Sequence, residues 1–188
     1  MKSDNKNKKL PIRKNTRLRN WDYSSCGAYF ITFCSHLHKN IFSRISVGAI
    51  HESPEKYQAF LYDYSETYLT EYGKSVQYFI NRVPERFNVS ISDFVIMPNH
   101  IHMVIWINER AIRESPLQSR SVISNIVGYI KMNSSREIHK ISPEFSVWQR
   151  NYHDHIIRDE KEYLKIAEYI YNNPGKWNED CFFKPNNG

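Results

Sequence analysis

Residues 94–107 read FVIMPNHIHMVIWI, and the placing of His100 and His102 within them decides the architecture. Side chains of a strand alternate between its two faces, so both imidazoles would project one way and Ile101, Met103 and Ile105 the other. On a helix the same spacing would turn the rings roughly 200° apart, so a convergent pair requires a strand. Val95, Ile96, Val104, Ile105, Trp106 and Ile107 are β-branched or aromatic, and Pro98-Asn99 supplies a turn or bulge just ahead of the histidines. An isolated His-x-His on a strand has two readings: neutral, hydrogen-bonded side chains, or two nitrogen donors for a divalent metal.

A second informative stretch, DEKEYLKIAEYIYNNP at residues 159–174, has the form of a capped amphipathic helix. Asp159 is placed to cap the first turn with Glu162 three residues on, and Pro174 closes the element. Tyr163, Leu164, Ala167, Ile170 and Tyr171 recur at helical spacing and are expected to form the buried stripe. At about 100° per residue, Tyr169 falls instead on the side of Glu162, Lys165 and Asn173. The core does not require its ring, which is therefore either surface decoration or a chemical group.

The rest of the chain supplies a framework for these two stretches. Ala28–Cys34 alternates as a first strand, and a second is expected around Ile41–Ile50. Residues 70–83 suit a helix, Val89–Met97 and His100–Ile107 supply further strand, and Val122–Ile138 is helical from Ile123, Ile126, Val127 and Ile130. The charged run between Asn108 and Leu117, with Pro116, reads as a loop. Ser53–Leu69 has no single reading: its aromatics have helical spacing, but Pro54 also suits an irregular excursion that binds DNA. Strands interspersed with helices predict an α+β sandwich in which helices cover a central antiparallel sheet.

The chain has 188 residues, enough for a core that needs neither disulfides nor a structural metal. Cys26, Cys34 and Cys181 show no Cys-x-x-Cys spacing, and the opening residues are polar rather than apolar, so the expectation is a cytoplasmic protein without signal peptide or membrane span. Residues 1–20 hold eight Lys or Arg against one acid, Asp4, so the net charge of +6 resides in this stretch. Composition alone favours a solvated terminus, and the other reading is a basic arm for a nucleic-acid backbone, with Arg13, Lys14, Arg17 and Arg19 as its contacts. Lys131, on the helix from Val122, is either a solvated lysine or a phosphate contact.

MPNHIH, followed by VWQRNYHDHIIRDEKEYLKIAEYIYNNPGKW, resembles the REP-associated tyrosine transposases, single-tyrosine members of the HUH endonuclease superfamily. The resemblance runs from the stretch at Arg17 to about Trp177, and the ordered pair PNHxH and YIxxNP carries it. It implies a ferredoxin-like fold and one catalytic domain, residues 21–178, between the basic arm (1–20) and a C-terminal tail (179–188). It further implies Tyr169 as nucleophile, His100, His102 and Asn173 as ligands of Mg²⁺ or Mn²⁺, and His155 as an auxiliary active-site residue. Trp148, Arg150 and Arg158 match a stretch where aromatic and cationic groups contact DNA, although Trp148 serves packing equally well. The activity so implied is cleavage and rejoining of single-stranded DNA beside a hairpin, through a 5′-phosphotyrosyl intermediate, by a monomer or homodimer. Two other readings stand beside it: a non-catalytic hairpin-binding protein on the same scaffold, and a zinc hydrolase using His100, His102 and either His153 or His155.

Overall fold

The computed structural model describes residues 26–47, 65–113 and 121–183. In chain order these form β1 (Gly27–Cys34), β2 (Ser43–Val47), β3 (Ser65–Leu69), α1 (Glu71–Asn81), α2 (Val83–Phe87), β4 (Ser90–Ile96), β5 (His100–Ile107), α3 (Glu109–Arg113), α4 (Val122–Ile141), β6 (His153–Ile157) and α5 (Glu160–Asn172). Four strands make one sheet in the order β4-β5-β1-β6, antiparallel at every pairing, while β2 and β3 pair separately. With that hairpin set aside, the order is β-α-β-β-α-β, the ferredoxin-like α+β sandwich the sequence predicts.

Alternation along the central strands separates two layers. Tyr29, Ile31 and Phe33 of β1 and Ile101, Met103 and Ile105 of β5 face α1 and α4, where they join Val76, Ile80, Ile123, Ile126 and Ile130 in the main core. The opposite face carries Ala28, Val104 and Ile157, covered by Ile170 and Ile166 of α5. His100 and His102 belong to this second face, so α5 is the element that meets them. Tyr163 fastens the helix to the edge strand, its hydroxyl donating to Asp93 at 2.9 Å.

The start of α5 follows the expected cap, with the Glu162 N–H donating to Asp159 Oδ1 at 2.8 Å. Its buried stripe does not. Tyr171 is 79% exposed and Leu164 58% exposed, because Ile166, which the five-residue stripe omits, recentres the apolar face on Tyr163, Ile166 and Ile170. That roll swings Tyr169 and Asn173 toward the histidines and Tyr171 toward solvent. The expected loop after Asn108 begins as helix α3, since Asn108 Oδ1 accepts the Ala111 N–H at 2.9 Å and caps the turn. β6 has no counterpart in the sequence reading: HDHII is short and largely polar at its start. Ser65–Leu69, the described end of the segment without a single reading, is strand. Among the described residues no helix is long and apolar enough to cross a membrane.

The N-terminus of α1 is built against the β1–β2 connection. Thr70 caps the helix, and its backbone N–H and hydroxyl both reach the carbonyl of Phe42. A Cβ at Gly73 would overlap that carbonyl oxygen, whereas one at Gly128, on the exposed side of α4, would meet nothing within 4 Å. We expect Gly73→Ala to lower unfolding free energy by about 2 kcal/mol through overpacking against backbone. Gly128→Ala should raise it by about 0.5–1 kcal/mol through helix propensity. Urea denaturation of the two variants checks both signs.

Candidate active site and metal centre

Strand pairing sets the histidines. Thr32 lies opposite His102 and Cys34 opposite His100, and the Thr32 hydroxyl oxygen is 2.7 Å from His102 Nδ1. Asn99, in the turn before β5, determines the tautomer of the other ring. Its amide nitrogen donates to the carbonyls of His38, at 3.2 Å, and Phe182, at 2.8 Å, which leaves Oδ1 facing His100 Nδ1 at 2.9 Å. Since Oδ1 only accepts, Nδ1 carries the proton and Nε2 of His100 keeps a bare lone pair. That Nε2 is buried and has no hydrogen-bond partner.

Both imidazoles are held neutral. His100 is fully buried and His102 2% exposed. Burial, followed by the neighbouring His38, pushes His100 down to about 3. Burial and His100 push His102 to about the same value, against a smaller opposing effect of Asp180. A neutral ring with a directed lone pair is the form that ligates a metal.

Tyr169 reaches this pair from α5. Its hydroxyl lies 3.2 Å from His102 Nε2 and 3.5 Å from Asp180 Oδ2, and the residue remains 42% exposed. Phe30 holds the geometry from below, stacked on the His102 ring at 5.2 Å and edge-on to Tyr169 at 6.2 Å. Burial, then the charge of Asp180 and the Cys181 thiol, push the Tyr169 phenol up to about 12. The ring is neither locked in the core nor turned away from the histidines.

Asn173 follows four residues later and is 3% exposed. Pro174 is expected to bias it away from helical geometry, but it keeps φ −57° and ψ −41° because the chain continues in turns, with the Lys176 N–H reaching the carbonyls of Asn172 and Asn173. Its Nδ2 donates to Asp180 Oδ2 at 3.1 Å, and its Oδ1 is buried without a partner. Two orphaned buried acceptors, His100 Nε2 and Asn173 Oδ1, thus occur in one cluster. Buried polar atoms are normally satisfied, and lone pairs left aimed inward fit a cation. His100, His102 and Asp180 place ligand atoms within 4.8 Å of one another.

Asp180, Asn99 and Thr32 are absent from the sequence-derived site. Asn99 had a signal, its place beside the first histidine, but was read only as a turn residue. Asp180 had none, because a three-residue helical turn, Trp177–Glu179, carries the chain back to the histidines with no periodicity to mark it.

The remaining sequence candidates are distributed around this centre. His155 lies on β6 opposite Phe30, and its Nε2 bonds Glu162 Oε1 at 2.7 Å. His153 lies opposite Thr32 and is exposed, so the third donor next to His100 and His102 is Asp180 rather than either of these histidines. Lys131 is not a solvated lysine. Its ammonium donates to the carbonyls of Gln149 and Asn151, each at 2.9 Å, and burial pushes it down to about 8. Trp148 stacks on Phe42 at 4.6 Å and donates its indole N–H to Ser134 at 3.1 Å, a packing position. Arg150 and Arg158 are exposed, and the backbone N–H of Arg158 is held by Glu162 Oε2 at 2.8 Å. Arg13, Lys14, Arg17 and Arg19 lie outside the described residues.

Comparison with known proteins identifies the family and the fold. Residues 59–173 match the family described as "Transposase IS200 like". An uncharacterized protein of Haemophilus influenzae is 37% identical over 184 residues, covering 91% of this chain and 93% of its own length. A second H. influenzae protein, whose description as a REP-associated tyrosine transposase is itself an inference, is 28% identical over 120 residues, 62% of this chain and 66% of that one. The solved structure of a REP-associated tyrosine transposase bound to a REP hairpin shares the fold, with a TM-score of 0.52 and 18% identity over 80% of this chain and 68% of that one. The family match spans more than half of the chain and ends on Asn173, so the protein belongs to the IS200-like transposase family, as a relative of the REP-associated tyrosine transposases.

Proposed function

We propose that this transposase cuts and rejoins single-stranded DNA beside a hairpin, with Tyr169 as nucleophile and a divalent cation, Mg²⁺ or Mn²⁺, held by His100, His102 and Asn173. One observation carries the reading: the Tyr169 hydroxyl lies 3.2 Å from the Nε2 of a neutral histidine, beside a second histidine whose Nε2 is buried and unpaired. The hairpin substrate comes from the relative solved with a REP hairpin. Held by His100, His102 and Asn173, a cation would supply the positive charge that polarises a non-bridging phosphate oxygen and stabilises a pentavalent transition state.

The chain's own groups account for the remaining steps. Tyr169 Oη attacks phosphorus in line with the leaving 3′ oxygen. A Tyr-O–P bond forms as the P–O3′ bond breaks, the 5′ end stays on the enzyme, and the 3′ oxygen takes up a proton. Phosphodiester energy is retained in the phosphotyrosine, so the reverse attack by a 3′-hydroxyl reseals the strand without a nucleotide cofactor. The phenol is a weak nucleophile while protonated, and its raised pKa makes loss of the proton the step that needs help. Solvent on the exposed side of the ring is the acceptor that the cation ligands leave within reach. Tyr169 opens onto a recess of about 320 Å³ lined by Lys165 and Lys176 and also by the acids Glu168, Glu179 and Asp180.

Incubation with labelled single-stranded hairpin oligonucleotides and Mn²⁺, followed by denaturing electrophoresis, should give a covalent protein–DNA band that maps to Tyr169. Tyr169→Phe should reduce that band by at least about three orders of magnitude while hairpin affinity stays within about threefold. Equal adduct yield from the variant would remove Tyr169 from the reaction, and binding without any adduct would leave a hairpin-binding protein.

The neutral histidines also give a pH dependence. Each takes up a proton near 6.5 in the unfolded chain but only near 3 when folded. The unfolded state therefore binds more protons between those values, and stability falls as pH drops through that window. Denaturation midpoints measured from pH 7 to pH 4 should fall more steeply for the wild type than for a His100→Asn/His102→Asn variant.

A further inference from the structure

We propose that Asp180 is a ligand of the same cation, adding a carboxylate to the two imidazoles and the Asn173 amide. This rests on the metal-site reading above and extends it to a residue beyond Asn173, where the family match ends.

The local structure anchors one carboxylate oxygen and turns the other toward the site. After α5, Trp177 is buried and its ring lies 6.1 Å from that of His100, which turns the chain back over β5. Asp180 Oδ1 accepts the Phe182 N–H at 2.6 Å, and the Phe182 carbonyl in turn accepts from Asn99. The Phe182 ring packs on His38 at 5.4 Å and on His100 at 4.7 Å. One oxygen is thus anchored to its own turn. The other, Oδ2, is directed at Asn173, Tyr169 and His100, at 3.1, 3.5 and 3.9 Å.

Hydrogen bonds hold the carboxylate in this place but do not pair it with His100. The contact to His100 is too long for a hydrogen bond, and the two groups leave His100 Nε2 unsatisfied between them. The Asp180 side chain is 3% exposed, and among the described residues the group within ion-pair distance of it is His100, at 3.9 Å. A carboxylate turned onto two imidazoles and an unpaired amide oxygen forms a donor set that a divalent ion fits. The spacing agrees: six-coordinate Mg²⁺, with ligands near 2.1 Å, separates neighbouring donors by about 3 Å and opposite donors by about 4.2 Å. The 3.9 Å separation between Asp180 and His100 lies inside that interval, and the ligand atoms of His100, His102 and Asp180 gather within 4.8 Å of one another, a spread that binding would tighten. Two imidazoles alone favour softer ions, and a carboxylate shifts the set toward Mn²⁺ and Mg²⁺.

The test is a Mn²⁺ titration of the full chain without DNA, followed by electron paramagnetic resonance of the free ion. Asp180→Asn keeps an oxygen for the Phe182 N–H but removes the charge, and should weaken Mn²⁺ binding at least about tenfold. Glu179→Gln, an exposed acid on the neighbouring residue, should change affinity by less than about twofold, which separates ligation from general charge. Thermal melting of each variant without metal confirms folding, and the gain in Tm on adding Mn²⁺ should shrink for Asp180→Asn alone. Unchanged or tighter Mn²⁺ binding by Asp180→Asn overturns the proposal, and faster adduct formation in that variant would mark Asp180 as occupying the phosphate position instead. Because the titration contains no DNA, a wild type that binds Mn²⁺ through Asp180 yet forms no adduct would refute the proposed reaction and leave this ligand standing.

Discussion

Antiparallel pairing of β1 with β5 places Thr32 opposite His102 and Cys34 opposite His100, and the geometry of the site descends from that register. A slip of one residue would exchange the faces, sending both imidazoles among Val76, Ile80 and Ile126 and exposing Ile101, Met103 and Ile105 to α5. The main core therefore guards the chemistry indirectly. Burial of those three apolar residues under α1 and α4 is what keeps the histidines pointing at α5.

Burial of the imidazoles works against charge and in favour of ligation. Desolvation keeps both rings neutral, the Asn99 amide commits one of them to a single tautomer, and Thr32 and Phe30 hold the other in place. The same low-polarity surroundings raise the Tyr169 phenol, so the site without added positive charge holds its tyrosine in the unreactive, protonated form. Under the proposed chemistry, nucleophile and ligands are thus pre-positioned, while reactivity is withheld until charge arrives.

Much of this was readable in the chain because it depends on short-range periodicity. A period of two placed His100 and His102 together. A period of 3.6 put Tyr169 on the side of Asn173, and Asp159 announced its helix three residues ahead of Glu162. What escaped depends on tertiary placement. Helical spacing alone does not fix the roll of α5: packing of Ile166 moves the apolar face, and Tyr171, which the spacing predicts to be buried, faces solvent. β6 is too short and polar for alternation to reveal it, and the engagement of Lys131 with two carbonyls follows from the path of residues 149–151, which no local pattern encodes. Asp180 approaches through a change of direction at Trp177, a long-range event invisible to spacing.

The hydroxyl of Tyr169 meets His102 of its own polypeptide, at the end of an α5 that packs on the sheet of the same chain. Under the proposed chemistry, one polypeptide brings both its nucleophile and its histidines to the reaction centre. It also possesses one acceptor for a severed 5′ end. Joining two distant breaks would then demand either consecutive turnovers at that centre, with the first end handed off before the second is taken, or the meeting of two self-sufficient copies on the same DNA.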